Sequence, residues 1–413
     1  MPDPLSRMPT AFEVYTDRGF RALTRVVAWL VVLLIVVVVI RIGATAWPAV
    51  QKYCRRSPAM TKTRVLSLLS LPLLVLTTVS CSFLSGGDAK DRVKLEGAGA
   101  SFPAPLYLKW FKSYSEAHPE VKIDYQSTGS GAGVKAVQDK TVDFGASDAA
   151  MSPEEIAKVD AGVQLLPMTA GSIVLAYNLE GVDTLKLSRK AYVNIFLGKV
   201  TKWNDPSIAS SNPGVTLPDS NINVVVRADS SGTSFVFTKH LSAISEDFAK
   251  DPGTNKMPNW QVGTKSKGNE GVSSAISTTP GAIGYIEYGY AKATKLKMAT
   301  LQNKAGKYIE PTIASGQAAL AGAKLPDDLI VWVPDPKGDD AYPIVTYTWI
   351  MTYKKYAEPK KAAALKEVLT YCLTDGQKDS EELGYIPLPS EVVEKVKAAL
   401  GNIGAEAAEK KSK

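Results

Sequence analysis

The feature that most constrains the fold is an alternation of short apolar runs with helix-like segments from about residue 93 onward. In the first helix-like segment, Leu106, Trp110 and Tyr114 recur at the four-residue spacing of one helix face. By the same criteria we predict strands at 93–95, 121–125, 141–146, 172–177, 222–226, 282–287 and 344–352, and helices at 103–118, 133–140, 189–197, 234–245, 361–373 and 391–400. Strands separated by helices predict parallel βαβ units and an α/β fold.

The first 91 residues have the composition of a membrane-targeting region. Residues 26–47 form an apolar run interrupted by Arg41, which is long enough to span a bilayer. Residues 60–80 have a basic start, an apolar middle and small residues before Cys81, which predicts a lipoprotein signal peptide with Cys81 as the lipid-bearing residue. The small and polar residues 81–91 are typical of a tether.

Residues 1–59 have two interpretations that the sequence leaves open. They are an upstream extension, with the true start at Met60, or they form a first membrane helix at about 26–47. In both cases we expect everything after Cys81 to be exported, to the periplasm or the outer face of the cell membrane. At the other end, the charged residues 405–413 predict a frayed tail.

Charge is unevenly distributed along the chain. The formal net charge is +7, yet residues 1–80 hold ten basic side chains and three acidic ones, so 38 basic and 38 acidic residues remain in 81–413. The body of the protein is therefore formally neutral. A nucleic-acid partner that needs a broad basic surface is not expected.

The cysteines predict neither a disulfide nor a nucleophile. The chain has Cys54, Cys81 and Cys372, so the exported part keeps one unmodified thiol. Cys372 lies in the helix-like segment 361–373, where a small core residue is expected.

Three segments share one local pattern, in which a strand ends, small hydroxyl or glycine residues follow and a helix begins. They are residues 97–103 (GAGASFP), 128–133 (TGSGAG) and 229–234 (DSSGTS). The first turn of a helix has unpaired backbone N–H groups and the positive end of the helix dipole, so each segment favours an anion. Taken singly, each segment is better explained by an ordinary helix cap, but three together favour an anion site.

Other motifs fail on spacing. Gly133 is not followed by the lysine of a nucleotide P-loop, and the glycines at 129, 131 and 133 do not match the Rossmann spacing. Neither Ser130 nor Ser231 has the flanking glycines of a hydrolase nucleophile. The two histidines, His118 and His240, are expected on charged, solvated helix faces, so neither a catalytic triad nor a metal site is predicted.

Three charged residues complete the candidate site. Arg227 ends an apolar strand, and its planar guanidinium suits a tetrahedral oxyanion; Asp229 could hold it in place, or the two could form a purely structural ion pair. Asp148 also follows an apolar strand, where a carboxylate should repel an anion unless the ligand donates a proton to it. Phosphate can donate and sulfate cannot, so Asp148 is either a discriminating acceptor or the cap of a helix that starts near Ser152.

Several motifs closely resemble, in order and spacing, the phosphate-binding proteins of bacterial high-affinity phosphate ABC importers. They are GAGASFPAPLYLKWF, STGSGAGVKAV, VDFGASDAAMS, FLGKVTKWNDPSI, VVVRADSSGTSFVFTKHL and PGAIGYIEYGYA, and the resemblance runs from about Leu95 to about Val396. It implies phosphate ligands at Ser101, Phe102 (through its backbone N–H), Ser130, Asp148, Arg227, Ser231, Gly232 and Thr233, with Asp229 supporting Arg227.

The resemblance also implies a two-lobed, type II periplasmic-binding-protein-like fold with the ligand in the cleft. The first lobe would comprise 92–176 and 345–404, the second 177–344, and the chain would cross near 176–178 and 342–346. The implied protein is a monomeric receptor, not an enzyme and without a cofactor. It would bind inorganic phosphate and deliver it to the permease subunits and ATPase of an ABC importer at the membrane. The alternatives are a receptor for another oxyanion, such as sulfate, and a phosphate-ester hydrolase.

Overall fold

The computed structural model describes residues 92–405. The predicted extension (1–59), signal peptide (60–80) and tether (81–91, with Cys81) lie outside these residues, as does the predicted tail apart from Ala405, which pairs with Tyr356. Within 92–405, no helix combines the length and apolar character needed to cross a bilayer.

The described chain contains strands of very unequal length. Their bounds are β1 (Val93–Gly99), β2 (Val121–Ser127), β3 (Phe144–Ser147), β4 (Val163–Asn178), β5 (Lys186–Leu187), β6 (Asn223–Arg227), β7 (Thr264–Ser266), β8 (Ala282–Glu287), β9 (Lys297–Met298), β10 (Thr300–Gln302), β11 (Tyr308–Ile309), β12 (Val345–Tyr353), β13 (Lys355–Tyr356) and β14 (Gly404–Ala405). All seven predicted strands are present, within a few residues of the expected bounds except for β4.

Helices separate most of the strands. Their bounds are α1 (Ala104–Ala117), α2 (Ser130–Gln138), α3 (Pro153–Ile156), α4 (Arg189–Phe196), α5 (Pro206–Ala209), α6 (Gly232–Ile244), α7 (Glu246–Lys250), α8 (Gly268–Thr278), α9 (Tyr288–Ala293), α10 (Ile313–Leu320), α11 (Pro359–Leu373), α12 (Ser380–Leu383) and α13 (Ser390–Leu400), with a 3₁₀ turn at Asp375–Asp379. Helix α1 buries Leu106, Trp110 and Tyr114, the side chains whose spacing predicted it.

The main sheet explains why several strand ends lie near one another. It has the order β2-β1-β3-β12-β4-β8-β6-β7, with β9 also paired to β4. Strands β1, β2 and β3 are parallel, as are β6, β7 and β8, whereas β12 runs antiparallel to both β3 and β4. The fold is therefore α/β with a mixed sheet. Parallel strands end at the same edge, so the segments that follow β1, β2 and β3 lie together. Strand β6 runs in the opposite direction on the far part of the sheet, so the segment that follows it faces theirs.

Strand β4 links the two groups of parallel strands and is much longer than predicted. Its first part, from Val163 to Ser172, pairs with β12, and its second part, from Ile173 to Asn178, pairs with β8. The sequence predicts only the second part, because Pro167 and Gly171 interrupt the pattern. The register of β12 against β4 shifts between Thr348 and Trp349, and Trp349 pairs with Pro167. A ladder irregularity at this point accommodates a residue that lacks an N–H.

Helix α8 was not predicted, because its sequence, GNEGVSSAIST, is rich in residues with poor helix propensity. Its apolar positions Val272 and Ile276 are fully buried, so tertiary packing outweighs propensity here. Cys372 is also fully buried, in α11, which confirms the predicted core position. Burial raises the pKa of its thiol, so it stays protonated.

Candidate functional site

The three glycine- and hydroxyl-rich segments come together at the ends of their strands. The first lies between β1 and α1, the second joins β2 to α2, and the third joins β6 to α6. The N–H of Gly129 donates to the carbonyl of Gly99 at 2.8 Å, which joins the first two segments. The N–H of Gly131 donates to the carbonyl of Ser230 at 2.9 Å, which joins the second segment to the third.

Glycine is required where α6 meets the opposite segment. A Cβ atom on Gly232 would lie 2.5 Å from Ser130 Oγ and 2.6 Å from Asp148 Oδ2. Such contacts are too close for any side chain, so Gly232 lets the backbone at the start of α6 approach these two polar atoms. Three predicted ligands from separate parts of the chain therefore lie side by side.

Asp148 is buried and its carboxylate is held by hydroxyl groups. The residue is 1% exposed, Thr348 Oγ1 donates to Oδ1 at 2.8 Å, and Ser130 Oγ lies 3.4 Å from Oδ2. Burial raises the pKa of Asp148 to about 7, although Thr348, Arg227 and Ser130 favour the charged form. The alternative role of Asp148 as a helix cap is wrong, because Ser152 caps α3 together with Glu155.

Arg227 and Asp229 form a buried two-pronged ion pair. Arg227 Nε and Nη2 donate to the two carboxylate oxygens of Asp229 at 2.9 and 2.6 Å, and the arginine side chain is 1% exposed. Burial alone would raise the pKa of Asp229, but the hydrogen bonds and charge of Arg227 hold it below its usual value. The N–H of Gly268 adds a third hydrogen bond at 3.0 Å. Asp229 thus fixes the plane of the guanidinium.

The start of α6 is tied to the core beneath it. Ser231 caps the helix by accepting a hydrogen bond from the N–H of Ser234 at 3.1 Å. This is the ordinary helix cap that the sequence offers as the alternative interpretation of the segment. Ser234 Oγ and Tyr285 Oη are 2.6 Å apart, and the N–H of Arg227 donates to Tyr285 Oη at 3.2 Å. Tyr285 stacks on Phe237. The aromatic core therefore positions both the arginine and the helix terminus.

Ser101 and Phe102 occupy the corresponding place before α1. Both are buried, and their backbone carbonyls accept hydrogen bonds from tyrosines: Tyr290 Oη donates to Ser101 at 2.7 Å and Tyr385 Oη donates to Phe102 at 2.7 Å. Neither residue caps α1. The hydroxyl of Ser101 and the N–H of Phe102 are thus held next to a helix start without serving as its cap.

All eight predicted ligand residues and Asp229 lie in this one region, but some of their supporting residues were missed. Thr348 comes from β12 and Asn269 from the start of α8, and both are fully buried. The sequence around Thr348 does not indicate a functional role, because its apolar neighbours predict only a strand. The glycine-flanked Asn269 after β7 could have been found as a fourth strand-to-helix segment.

An ion pair at the edge of the site joins α3 to the loop that follows α7. Lys256 Nζ lies 2.8 Å from Glu155 Oε1, and each side chain is about a quarter exposed. The carbonyl of Lys256 accepts the N–H of Ser231 at 2.8 Å, so the pair links α3, through Lys256, to the residue that caps α6.

The prediction for His240 is wrong, because this side chain is buried. Its Nε2 lies 2.9 Å from Tyr192 Oη and its Nδ1 lies 2.6 Å from the carbonyl of Pro334, so both ring nitrogens are engaged. Burial lowers the pKa of His240 to about 4. His118 is half-exposed beside Glu120, as expected for a solvated helix face.

Comparison with known proteins gives a consistent family assignment. Residues 85–375 match the family model described as a PBP superfamily domain. A phosphate-binding protein PstS of Pasteurella multocida is 41% identical over 310 residues, which cover 74% of this chain and 89% of that protein. The phosphate-binding protein PstS of Methanocaldococcus jannaschii is 35% identical over 362 residues, or 80% of this chain and 93% of the relative.

Solved structures share the fold at lower identity. A high-affinity periplasmic phosphate-binding protein (PfluDING) bound with phosphate has a TM-score of 0.61 and 19% identity, and the match covers 74% of this chain and 93% of that chain. A phosphate-binding protein from Stenotrophomonas maltophilia has a TM-score of 0.59 and 22% identity, with the same coverage. At these identities the likeness is one of fold.

Proposed function

Because the chain belongs to the PstS phosphate-binding proteins of the PBP superfamily, we propose that it is a receptor that captures inorganic phosphate and delivers it to an ABC permease. The observation that carries the proposal is the convergence of hydrogen-bond donors from three helix starts on one buried region, beside the carboxylate of Asp148. The proposed ligands are Ser101, Phe102, Ser130, Asp148, Arg227, Ser231, Gly232 and Thr233, with Asp229 supporting the arginine.

Asp148 gives the proposed site its preference for phosphate. Near neutral pH phosphate keeps a proton that it can donate to this carboxylate, whereas sulfate has none. A bound sulfate would place a negative oxygen against the buried carboxylate with no proton between them. The binding free energy would then lose at least the contribution of one hydrogen bond to a charged group. The arrangement therefore favours phosphate over fully ionised oxyanions.

The proposal includes two lobes that close on the ligand. The first comprises residues 92–176 and 345–404, and the second residues 177–344. Its support is the pairing of β4: residues up to Ser172 pair with β12 on the side of Asp148, and residues from Ile173 pair with β8 on the side of Arg227. This change of partner lies a few residues before the proposed boundary at 176. Phosphate would then join side chains from both lobes and favour the closed arrangement.

Calorimetry with phosphate, arsenate and sulfate tests the proposal. We expect the parent protein to bind phosphate and arsenate and to exclude sulfate, and we expect Asp148→Asn to lose much of this discrimination. Asp160→Asn is a matched control, because the Asp160 carboxylate is 93% exposed and its removal should leave all three affinities unchanged. Sulfate binding by the parent as tightly as phosphate would refute the proposed selectivity.

The proposal that the protein is a receptor rather than a phosphate-ester hydrolase rests on the bonding around the serines. Both ring nitrogens of His240 are engaged with Tyr192 and Pro334, and Ser231 Oγ accepts from the N–H of Ser234. Neither arrangement prepares a base for a serine nucleophile. Turnover of a chromogenic phosphate ester by the pure protein would favour the enzyme instead.

We further propose that the protein is exported and held at the membrane through a lipid on Cys81. This proposal rests on the signal-like residues 60–80 and the polar tether that follows Cys81. Labelling of expressing cells with a radioactive fatty acid tests it. We expect label in the parent protein and none in Cys81→Ser, and equal labelling of the two would contradict the lipid anchor.

A further inference from the structure

Asn269 has a fixed orientation next to two of the proposed ligands. It is fully buried at the start of α8, and its Oδ1 accepts the backbone N–H of Glu287 at 2.9 Å. A backbone N–H can only donate, so the oxygen of the Asn269 amide must face Glu287 and the nitrogen must face the other way. The two hydrogens of that nitrogen point to Ser101 Oγ at 2.9 Å and to Thr233 Oγ1 at 3.1 Å.

These bonds use the acceptor capacity of both hydroxyl groups. A hydroxyl has one O–H and two lone pairs. Ser101 Oγ accepts from the backbone N–H of Asn269 at 3.1 Å as well as from its amide nitrogen. Thr233 Oγ1 accepts from Asn269 and from Arg227 Nη1, the latter at 3.3 Å. Each oxygen thus receives two hydrogen bonds, and its remaining function is to donate.

We propose that Asn269 is a positioning residue that turns Ser101 and Thr233 into obligate hydrogen-bond donors to the bound anion. The inference rests on the proposed phosphate function and deepens it, because it assigns the direction of two hydrogen bonds at the site. A hydroxyl group can ordinarily accept a hydrogen bond from a ligand as readily as it donates one. With both hydroxyls fixed as donors, neither can accept a hydrogen bond from the single proton of the phosphate dianion, and Asp148 is the charged acceptor among the proposed ligands.

The same residue connects the two proposed lobes. Ser101 belongs to the first lobe, whereas Asn269 and Thr233 belong to the second. The hydrogen bonds to Ser101 therefore cross between the lobes, and they require the closed arrangement. Asn269 therefore takes part both in fixing the donors and in closing the lobes. Its replacement should weaken phosphate binding more than the replacement of a buried asparagine elsewhere.

Asn269→Asp is the sharpest variant, because it keeps the shape and reverses the hydrogen bonding. A carboxylate would accept from Ser101 and Thr233 and so turn their O–H groups away from the ligand. We expect phosphate affinity at neutral pH to fall by about 100-fold or more. The loss should shrink as the pH is lowered, because the new carboxyl group then gains a proton and can donate again.

The charged and titratable groups around this position are the same in the parent and the variant, so the difference between the two pH profiles reports the new carboxyl group and its interactions with these groups. They are Arg227, Asp229, Asp148, Glu270, Glu287 and Tyr290. A role limited to packing would lower the affinity without changing its dependence on pH.

Asn303→Asp is the matched control. Asn303 is also fully buried, and its amide nitrogen donates to the carbonyls of Gly338, Asp339 and Ala341, none of which is a proposed ligand. We expect this variant to melt at a lower temperature than the parent but to bind phosphate with near-parental affinity. Asn269→Ala serves if Asn269→Asp does not fold. It removes the side-chain donor without adding an acceptor, and we expect about tenfold weaker binding.

The outcomes separate the inference from the function on which it rests. If the parent fails to bind phosphate in calorimetry, the proposed function is refuted. If the parent binds and Asn269→Asp binds within about threefold with the parental pH profile, the positioning role of Asn269 is refuted. Should Asn269→Asp not fold, parental affinity in Asn269→Ala refutes the inference in the same way.

Discussion

Replacing Asp148 by asparagine should stabilise the phosphate-free protein at neutral and alkaline pH. The carboxyl group is 1% exposed, and burial raises its pKa from 3.8 to about 7. Asparagine has nearly the same shape and keeps an oxygen that can accept from Thr348. Arg227 retains its partner Asp229 in the variant, so no buried charge is left unpaired.

The magnitude follows from the two pKa values. The unfolded carboxyl ionises near pH 4 and the folded one near pH 7, so the folded state binds more protons between these values. The stability of the parent therefore falls as the pH rises from about 4 to 7. Three pKa units at about 1.4 kcal/mol each give a penalty of about 4 kcal/mol, fully developed above pH 7. The variant cannot ionise at this position and should lack the penalty.

Urea denaturation in phosphate-free buffer at acidic and alkaline pH measures this difference. We expect Asp148→Asn to exceed the parent in free energy of unfolding at alkaline pH and the two to converge at acidic pH, whereas Asp160→Asn follows the parent throughout. Saturating phosphate should narrow or reverse the difference at alkaline pH, because ligand binding stabilises the parent more strongly. Identical pH slopes for the parent and Asp148→Asn without phosphate would refute the reasoning.

Three further predictions concern neighbouring interactions. Thr348→Val removes a hydrogen bond that favours ionised Asp148, so the pKa of Asp148 should rise and phosphate affinity at neutral pH should fall about tenfold, whereas calorimetry of Thr348→Ser should show the parental value. Lys256→Met breaks the ion pair with Glu155 and should speed phosphate release by up to about fivefold in stopped-flow experiments, an effect that high salt abolishes. His240 has a pKa of about 4, well below the unfolded value of 6.5, so stability present above pH 6.5 is lost as the pH falls towards 4. We expect His240→Asn to remove this loss of stability, about 3 kcal/mol between pH 6.5 and pH 4, as measured by urea denaturation at those two pH values.

Much of the fold was predictable because its signals are local. Strand β8 has the predicted bounds, because turn or polar residues flank its apolar run at both ends. Helix α1 could be predicted from the four-residue spacing of its buried side chains. The first part of β4 was not predictable, because Pro167 and Gly171 suit a strand only when a particular neighbour pairs with them. That neighbour, β12, lies about 180 residues further along the chain.

The candidate site also contains a part that local sequence predicts and a part that it does not. Arg227 and Asp229 are two residues apart and flank a strand end, so their pairing could be predicted from the sequence. Thr348 reaches Asp148 because β12 pairs with β3: Trp349 lies opposite Ser147, and the next position in that register sets Thr348 opposite Asp148. Such a partner is determined by strand order, which no local pattern encodes.

The charges at the candidate site explain why the proposed binding of phosphate would depend on fixed hydrogen-bond donors. Asp229 neutralises Arg227, and an ionised Asp148 makes the sum of the three buried charges negative. Coulombic attraction from these side chains therefore cannot hold a phosphate dianion. The attraction must come from oriented dipoles: the starts of α1, α2 and α6, the backbone N–H groups beside them, and hydroxyls that cannot turn round. A hydroxyl free to rotate would offer its lone pairs to the anion part of the time, so a site without surplus positive charge depends on residues such as Asn269 that prevent that rotation.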